Sequence, residues 1–446
     1  MDFSRSDFPQ DFQFGVAGSS YQIEGHGFGG AGPTHWDSFA ATPGNVVGGQ
    51  GGRVACDHYH RYEDDLDLAA AAGFDAWRFS TSWARVIPDG CGAVNSEGLD
   101  FYDRLVDAVL VRGMEPWATL YHWELPSALA DRGGWANRDT AHWFAEFGGV
   151  IMKRIGDRVA SIAPVNEPWC VSWLSHFDGH HAPGLRDIRA TARTMHHILL
   201  GHGLAIGTLR ALGLSNLGCV VNFEYPQPAD ASPDSREKSI LYDEIYNRWF
   251  LGAVRGEGYP MRALQALQPY LPEGWETDFP VIESPIDWIG INYYTRKLIA
   301  QADGSAGPSF PGFREVAGSL PKSEMGWEIY PEGLLHFLRR THRDHADGLP
   351  IYVTENGIAA QDRLSGQPES VDDRIRCRYL DNHIAQIHTA LEEGIDVRGY
   401  FIWSFLDNFE WSLGYDKRFG IVHVDFDTLK RTPKASYWAL REALAR

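Results

Sequence analysis

The sequence has few of the features that mark secreted or membrane-bound proteins. It contains only five cysteines in 446 residues, an odd number, and none of them forms a Cys-x-x-Cys pair. A disulfide framework or a cysteine-rich zinc site is therefore not indicated. No apolar segment approaches the length of a membrane span, and residues 1–7 have no apolar core of signal-peptide length. These absences predict a cytoplasmic protein in a reducing compartment.

Positive charge is also scarce. Lys and Arg number 40 against 59 Asp and Glu, which gives a formal net charge of −19. Neither nucleic acid nor an anionic membrane is expected as a partner, because such a surface would not attract them. Hydrophobic residues make up 44% of the chain, an ordinary share for a globular protein with a sizeable core. Disordered and fibrous classes are excluded.

Short apolar runs alternate with longer segments of helical spacing. Eight runs have the β-branched and aromatic content of buried strands, at residues 12–17, 76–80, 115–121, 161–165, 217–221, 288–291, 351–354 and 399–403. Helical spacing is clearest at residues 59–72, 99–111, 141–155, 188–212, 333–341 and 373–392. No repeat, heptad or polar linker interrupts this alternation, so it predicts a single-domain (β/α)₈ TIM barrel over residues 1–446. Residues 25–32, 48–52 and 301–318 are expected to form long loops at the barrel ends.

Polar and aromatic side chains collect at or near the predicted carboxyl ends of the strands. In a closed barrel these ends meet in one bowl, where barrel enzymes place their reactive groups. The set comprises Gln22, Arg78, His122, Asn166, Glu167, Asn222, Asn292, Tyr294, Glu355 and Trp403. So many coincident positions predict a functional site in the bowl.

Two members of the set, Glu167 and Glu355, are carboxylates from opposite parts of the barrel. Hydrolysis of a glycosidic bond requires such a pair, one to give a proton and one to attack. Arg78 would keep Glu355 ionised by charge pairing, whereas the Pro168 and Trp169 that follow Glu167 favour its protonated form. Glu167 is therefore the candidate acid and Glu355 the candidate nucleophile.

A sugar also needs fixed hydrogen-bonding groups around its hydroxyls and an aromatic surface under its apolar face. The candidates for the hydrogen bonds are Gln22, His122, Asn166 and Glu410. Trp403 and Trp411 lie near enough to the acids in the predicted bowl to supply the aromatic surface.

The motifs around these residues resemble those of a known family. The similar segments are Thr354-Glu355-Asn356-Gly357, Asn166-Glu167-Pro168 and Trp403-Ser404-x-x-Asp407-Asn408-Phe409-Glu410-Trp411. They are similar to the signatures of glycoside hydrolase family 1, the β-glucosidase family. Further matches follow in order from Phe8-Pro9 to Phe419-Gly420, so the resemblance covers essentially the whole chain.

The resemblance implies a retaining β-glycosidase that needs no cofactor or metal. A β-glucosidase is expected, with β-glucosides and cello-oligosaccharides as small-molecule substrates and with β-galactosides and β-fucosides left open. It implies that Glu167 is the acid/base and Glu355 the nucleophile, supported by Arg78, Tyr294 and Asn292. The implied substrate-binding residues are Gln22, His122, Asn166, Trp403, Glu410, Trp411, Trp169, Trp327 and Phe419. Trp169 and Trp327 are placed at the entrance for the leaving group, and Phe419 stands where a phosphosugar branch of the family has tyrosine.

The sequence can be compared with three alternative functions: a metal-dependent hydrolase, a barrel that only binds sugar, and a transglycosylase. A metal-dependent hydrolase is suggested by the 18 histidines, which include His58-x-His60, His180-His181 and His196-His197. There is no His-Glu-x-x-His, and adjacent histidines on a helix point about 100° apart, so no metal site is expected. A barrel that only binds sugar would have lost one of the two carboxylates. Transglycosylation stays open, because it shares the covalent intermediate and differs only in what captures it.

Overall fold

A computed structural model describes residues 1–303, 310–364 and 371–445 of the chain. Its centre is a ring of eight parallel strands: β1 Gln13–Ala17, β2 Ala76–Ser80, β3 Glu115–Tyr121, β4 Ser161–Val165, β5 Gly218–Pro228, β6 Trp288–Gln301, β7 Ile351–Asn356 and β8 Val397–Trp403. The hydrogen-bonded order is β4-β3-β2-β1-β8-β7-β6-β5. Parallel pairing of Ile162 with Leu217 and of Asn166 with Val220 closes the ring between β4 and β5. The predicted (β/α)₈ barrel is confirmed.

Eight longer helices connect the strands and surround them: α1 His58–Ala71, α2 Ser96–Val111, α3 Asp139–Ile155, α4 Ile188–Ala211, α5 Pro233–Asp243, α6 Glu332–Thr341, α7 Arg374–Glu392 and α8 Ala435–Ala443. Most of them present an apolar face to the barrel; in α2 this face includes Phe101, Leu105 and Val109, spaced four residues apart. The exception is α5, whose buried residues include Ser235, Ser239 and Asp243. Side-chain caps mark the starts of α4 and α5: the Asp187 carboxylate accepts a bond from the Ala190 amide at 2.8 Å, and the Ser232 hydroxyl accepts one from the Ser235 amide at 3.1 Å. None of the helices within the described ranges has the length and apolar character needed to cross a membrane.

Shorter elements lie in the connections. The short helices and helical turns are Arg5–Asp7, Ser20–Ile23, His35–Ala41, Val47–Gly49, Trp83–Val86, Ser127–Ala130, Gly134–Ala136, Cys170–Leu174, Glu244–Arg248, Trp249–Val254, Met261–Leu267, Gln268–Tyr270, Trp275–Asp278, Phe279–Ile282, His342–Ala346 and Trp411–Leu413. The short strands outside the ring are Phe313–Val316, Arg363–Leu364, Val371–Asp372, Val422–Val424 and Arg431–Pro433. They place extra structure around the strand ends, where the site lies.

The predicted strand bounds agree at β2, β3 and β4 and fall short at β5 and β6. Both strands run on past the barrel rim, where Tyr225 pairs with Arg296 and Gln227 with Leu298. Since each strand satisfies the backbone of the other, they stay extended although prolines and charged residues interrupt their apolar pattern. The expected loop at residues 301–318 is also wrong in part. Phe313–Val316 is a strand antiparallel to the end of β6, while residues 304–309 lie outside the described residues.

The interior of the ring below the site is closed by side chains. Trp117, Trp288 and Phe401 form one aromatic layer there, with ring centroids 5.4 Å apart between the two tryptophans and 4.9 Å apart between Trp117 and Phe401. All three are buried. The barrel is therefore a packed core beneath a bowl that opens only at the carboxyl ends of the strands.

Candidate active site

A cavity of about 550 Å³ opens at the carboxyl ends of the barrel strands. The predicted site residues that line it are His122, Glu167, Trp169, Asn222, Tyr294, Trp327, Glu355, Trp403, Glu410, Trp411 and Phe419. Four others are buried around it without lining it: Gln22, Arg78, Asn166 and Asn292. The structure thus brings the predicted residues into one region, where some line the cavity and others lie buried behind its wall.

Glu355 lies near the end of β7 and is only 3% exposed. Arg78 donates from Nη1 to its Oε1 at 2.6 Å, and the Tyr294 hydroxyl donates to its Oε2 at 2.8 Å. Burial, with the nearby charges of Glu355 and Glu167, holds the pKa of Tyr294 well above its usual value, so the phenol remains a donor. Both predicted contacts to the carboxylate are present. An ionised carboxylate buried against a guanidinium and a phenol is oriented by strong, charge-assisted bonds.

The turn after Glu355 depends on a glycine. A Cβ at Gly357 would lie 1.7 Å from the carbonyl oxygen of Trp403, which ends β8. Only glycine allows β7 and β8 to approach so closely at this level. The close approach brings the nucleophile candidate on β7 beside the aromatic wall that begins at Trp403.

Glu167 follows β4 with φ of 51°, a left-handed conformation that is uncommon for a residue other than glycine. Its backbone amide donates to the carbonyl of Val220 on β5 at 3.2 Å, which fixes its position at the rim. Burial, and then the charge of Glu355, raise the pKa of Glu167 to about 8. The predicted split between the two acids is therefore present: one carboxyl is paired with a cation and the other favours its proton.

The prediction that Asn292 supports Glu355 is wrong. Its amide donates to Glu167 Oε1 at 2.7 Å and to Asn166 Oδ1 at 3.0 Å, while its own oxygen accepts from the Thr354 hydroxyl at 2.7 Å. The physical reason lies in the Thr354 hydroxyl, which holds the Asn292 oxygen and so leaves its NH₂ group on the side of Glu167.

Asn166 ties the two carboxyls together from behind the cavity wall. Its Oδ1 accepts from Arg78 Nη2 at 2.7 Å as well as from Asn292, so one oxygen connects the partner of Glu355 with the partner of Glu167. His122 lies 3.4 Å from the Asn166 amide. Burial and the charge of Arg78 lower the pKa of His122 well below its usual value, which leaves a neutral imidazole at the cavity surface.

Glu410, Trp403 and Trp411 form one wall of the cavity. Trp403 stacks with His122 at 5.6 Å between centroids. Burial raises the pKa of Glu410 to about 8, with the charges of Glu355 and Glu167 acting in the same direction. Its Oε2 is buried and has no hydrogen-bond partner among the described residues. A buried, unpartnered carboxyl oxygen on a cavity wall is suited to bind a hydroxyl group.

Gln22 lies behind this wall. Its amide donates to Asn408 Oδ1 at 3.0 Å and to the Phe409 carbonyl at 2.9 Å. The side chain therefore anchors the segment that carries Glu410 and Trp411. A direct contact of Gln22 with substrate stays a prediction.

The arrangement can be compared with known proteins. Residues 4–444 match the sequence profile described as Glycosyl hydrolase family 1. The chain belongs to glycosyl hydrolase family 1.

The chain is similar to several family 1 proteins along nearly its whole length. Beta-glucosidase A of Thermotoga maritima is 43% identical over 437 residues, which cover 97% of this chain and 96% of that protein. A bifunctional beta-D-glucosidase/beta-D-fucosidase of Bifidobacterium breve is 40% identical over 98% of both chains. The solved structure of the Thermotoga maritima family 1 β-glucosidase in complex with isofagomine lactam superposes with a TM-score of 0.93, at 42% identity over 98% of this chain and 99% of that one.

The mouth of this family 1 site contains residues that the sequence did not single out. They are Cys170, Trp173, Glu224, Tyr242, Tyr246, Lys297, Phe313 and Glu315. Glu224 and Lys297 belong to the extensions of β5 and β6 past the barrel rim. Glu224 and Lys297 would have been recognised if β5 and β6 had been predicted to extend beyond the barrel rim. The sequence contains no signal for Cys170, because a buried cysteine usually behaves as a small apolar residue.

Two of the histidines in the sequence pairs of this family 1 chain have clear structural partners. His58 bonds with Asp65 at 2.7 Å, and His196 bonds with Asp278 at 2.8 Å and Tyr259 at 2.7 Å. Among the described residues, Asp362, Asp407 and His423 have spacing that could suit a metal ion. Lys434 already donates to both of those carboxylates, at 2.9 and 2.7 Å, so a cation is built into that cluster.

Proposed function

We propose that this protein is a retaining β-glucosidase that removes terminal β-glucosyl units from β-glucosides and cello-oligosaccharides. The observation that carries the proposal is the unequal pair of buried carboxyls in one cavity, with Glu355 on Arg78 and Glu167 with a pKa raised to about 8. Names of similar proteins support glucose as the preferred sugar, and the bifunctional relative makes β-fucosides a second candidate. The proposal assigns residues 1–446 to one catalytic domain.

In the first step Glu355 attacks the anomeric carbon of the bound sugar and forms an ester bond to it. The bond from that carbon to the leaving oxygen breaks, and Glu167 gives its proton to that oxygen. Arg78 and Tyr294 hold the attacking carboxylate at 2.6 and 2.8 Å. Since those bonds fix its orientation before the reaction, little reorganisation is needed in the transition state.

The second step follows from the loss of one charge. Once Glu355 is an ester, it no longer carries the negative charge that helps to raise the pKa of Glu167. Glu167, having given up its proton, then stays ionised and takes a proton from water as the water attacks the anomeric carbon. The ester bond breaks, the sugar leaves with its original configuration, and both acids return to their starting states.

The wall of Glu410, Trp403 and Trp411 is assigned to the sugar that is released. Glu410 Oε2 is a buried oxygen without a partner among the described residues, so neighbouring sugar hydroxyls would satisfy it. The tryptophans provide the apolar surface that the face of a pyranose needs. The neutral His122 adds a hydrogen-bonding group at the same level.

Proton NMR of the first sugar formed tests this proposal. With a nitrophenyl β-glucoside, we expect the β-anomer of glucose to appear first and to convert to the α-anomer later. Initial release of the α-anomer would contradict the retaining mechanism. A panel of nitrophenyl β-glucoside, β-galactoside and β-fucoside ranks the sugars, and a kcat/KM that is lowest for the glucoside would contradict the substrate assignment.

A further inference from the structure

The Glu167 carboxyl contacts a thiol that the mechanism above does not use. Cys170 Sγ donates to Glu167 Oε2 at 3.1 Å, while Asn292 donates to Oε1. The two oxygens of the acid therefore each have one donor. A carboxyl on a flexible side chain can turn about its last bond unless both ends are held, so the thiol completes the orientation that Asn292 begins.

The thiol is itself held from the other side. The Asn222 amide points at Cys170 Sγ at 3.5 Å and donates to the Tyr246 hydroxyl at 2.6 Å. The Tyr246 ring packs against Trp169 at 4.1 Å between centroids. Trp169, Tyr246, Asn222 and Cys170 all line the cavity on the leaving-group side. The chain of contacts thus joins the surface that would hold the leaving group to the acid that would protonate it.

A thiol differs from a hydroxyl in the strength of this contact. The S–H group is a weak donor, so it can orient a carboxyl without strongly stabilising its ionised form. Burial, followed by the charge of Glu167, keeps the pKa of Cys170 well above its usual value, and the thiol therefore stays protonated over the working pH range. A thiol in this state is a donor and not a nucleophile.

We propose that Cys170 is a positioning residue that fixes the orientation of the Glu167 carboxyl and couples it to the leaving-group wall through Asn222 and Tyr246. The inference rests on the proposed function, because it gives Cys170 a role toward the acid which that function assigns. Charged and titratable groups near Glu167 are Glu355, Arg78, Glu410, Tyr246, Tyr294 and Cys170 itself. Of these groups, the test changes only Cys170.

The test compares Cys170→Ser, Cys170→Ala and Cys170→Val with the matched control Cys219→Ala. Cys219 is also a buried thiol, on β5, and among the described residues it makes no hydrogen bond to Glu167 or Glu355. Circular dichroism and thermal unfolding establish that each variant is folded. Valine and alanine bracket the volume of cysteine, so a folding defect in one leaves the other as the donor-free variant.

The first readout is the pH profile of kcat/KM for cellobiose. A donor to a carboxylate lowers its pKa, so the alkaline limb should move up by about half a pH unit in the alanine and valine variants. It should move down by a similar amount in the serine variant, whose hydroxyl is the stronger donor. The Cys219→Ala profile should coincide with that of the wild type.

The second readout separates orientation from packing. In Cys170→Ala, kcat/KM for cellobiose should fall about tenfold, while that for dinitrophenyl β-glucoside, which needs little protonation, should fall less than about twofold. Limbs that stay in place or move in the same direction in all three variants, or equal losses on both substrates, would overturn the role of Cys170. A wild-type enzyme that cleaves neither substrate would instead overturn the proposed function, so the two failures are distinguishable.

Discussion

The floor and the mouth of the cavity are built on different principles. At the floor, Glu355 lines the cavity, while Arg78, Asn166 and Asn292 lie directly behind it. All four lie on or next to different strands, are at most 3% exposed, and bond to one another or to Glu167 and Glu355. At the mouth, Lys297 bonds to Glu315 at 2.8 Å, but the Glu315 side chain is 54% exposed. Charges in the dry floor interact strongly, whereas water screens those at the mouth. The floor should therefore determine the chemistry, and the mouth should only adjust which leaving group is accepted.

Replacement of Glu355, the proposed nucleophile, tests the floor most severely. We expect Glu355→Ala to lower kcat on the order of 10⁴-fold or more, because no ester can form. Sugar binding should persist, since Glu410, His122 and the tryptophans provide those contacts. Stopped-flow kinetics and calorimetry with glucose measure the two quantities.

Two further variants complete that experiment. Glu355→Gln keeps a hydrogen-bond acceptor for Arg78 and so reduces the cost of breaking this buried ion pair, roughly 3 to 5 kcal/mol when the partner is removed entirely. Glu315→Ala is the matched acidic change at the mouth and should leave kcat within about twofold of wild type. If Glu315→Ala were as damaging as Glu355→Ala, the floor and the mouth would not differ as stated.

Replacement of the acid should give a loss that depends on the substrate. In Glu167→Ala, we expect kcat/KM for cellobiose to fall about 10²- to 10⁴-fold. With dinitrophenyl β-glucoside the first step should survive and the second should slow, so a burst of dinitrophenol should precede a slow steady state. Mass spectrometry should then detect the accumulated glycosyl-enzyme. Equal losses on the two substrates would contradict the acid role.

The floor was also the part of the site that the sequence predicted well. Glu355, Arg78 and Tyr294 could be placed because each lies on or directly after a recognisable strand, and a closed barrel brings those points together. The partner of Asn292 could not be placed in the same way. Which acid it contacts depends on how the Thr354 hydroxyl orients its amide group, and that orientation is not visible in strand order.

Discrimination against a phosphate group tests the sugar end of the floor. The sequence predicts that the charge of Glu410 repels the phosphate of a 6-phosphosugar. Burial raises the pKa of Glu410 to about 8, however, so much of that repulsion is absent at neutral pH. Glu355 lies in the same cavity with Arg78 as its partner, Phe419 is buried on the cavity wall, and Lys417 is paired with Asp416 at 2.8 Å. A doubly charged phosphate would still lose its hydration without gaining a cation.

We therefore expect kcat/KM for nitrophenyl β-glucoside to exceed that for its 6-phosphate by at least about 10²-fold. The ratio should increase as the pH rises through about 8, because Glu410 then gains its charge. Measurement of both substrates from pH 6 to 9 gives the ratio. A preference for the phosphorylated substrate would refute the assignment of Glu410 to an unphosphorylated sugar.

The pH dependence of the first step should show the proton on Glu167. Its protonated form is the active one, and its pKa is raised to about 8, so kcat/KM should be flat just below that pH and fall as the pH rises through it. Each further unit should cost about tenfold. Cellobiose is the suitable substrate, and Lys297→Met should leave the limb in place. An alkaline limb that begins below pH 6 would contradict the raised pKa.

The mouth could not be predicted from local pattern because its residues depend on pairing beyond the barrel. The strand signal of β5 fades after Val221, yet the strand continues to Pro228 because β6 runs beside it. Glu224 and Lys297 therefore looked like loop residues. Their position on the rim can be recognised only when the register between β5 and β6 is known.

The smallest effect should come from Lys297 at the mouth. Burial opposes its charge, but Glu224 and Glu315 raise the pKa of Lys297, so it is a cation at every working pH. It lies 2.8 Å from Glu315 and 3.9 Å from Glu224, and the Tyr242 hydroxyl also donates to Glu224. Loss of the cation leaves two acids facing each other across the passage that the far units of a long substrate would use.

Methionine keeps the length of the lysine stem and removes only the charge. We expect Lys297→Met to raise KM for cellotetraose about two- to fivefold and to change that for nitrophenyl β-glucoside less than twofold, since partly exposed ion pairs contribute little. Salt at 0.5 M should reduce the difference between the variant and the wild type, because the mouth is screened by solvent ions. Equal effects on the long and the short substrate would mean that Lys297 acts on the floor, and the distinction between the two regions would then fail.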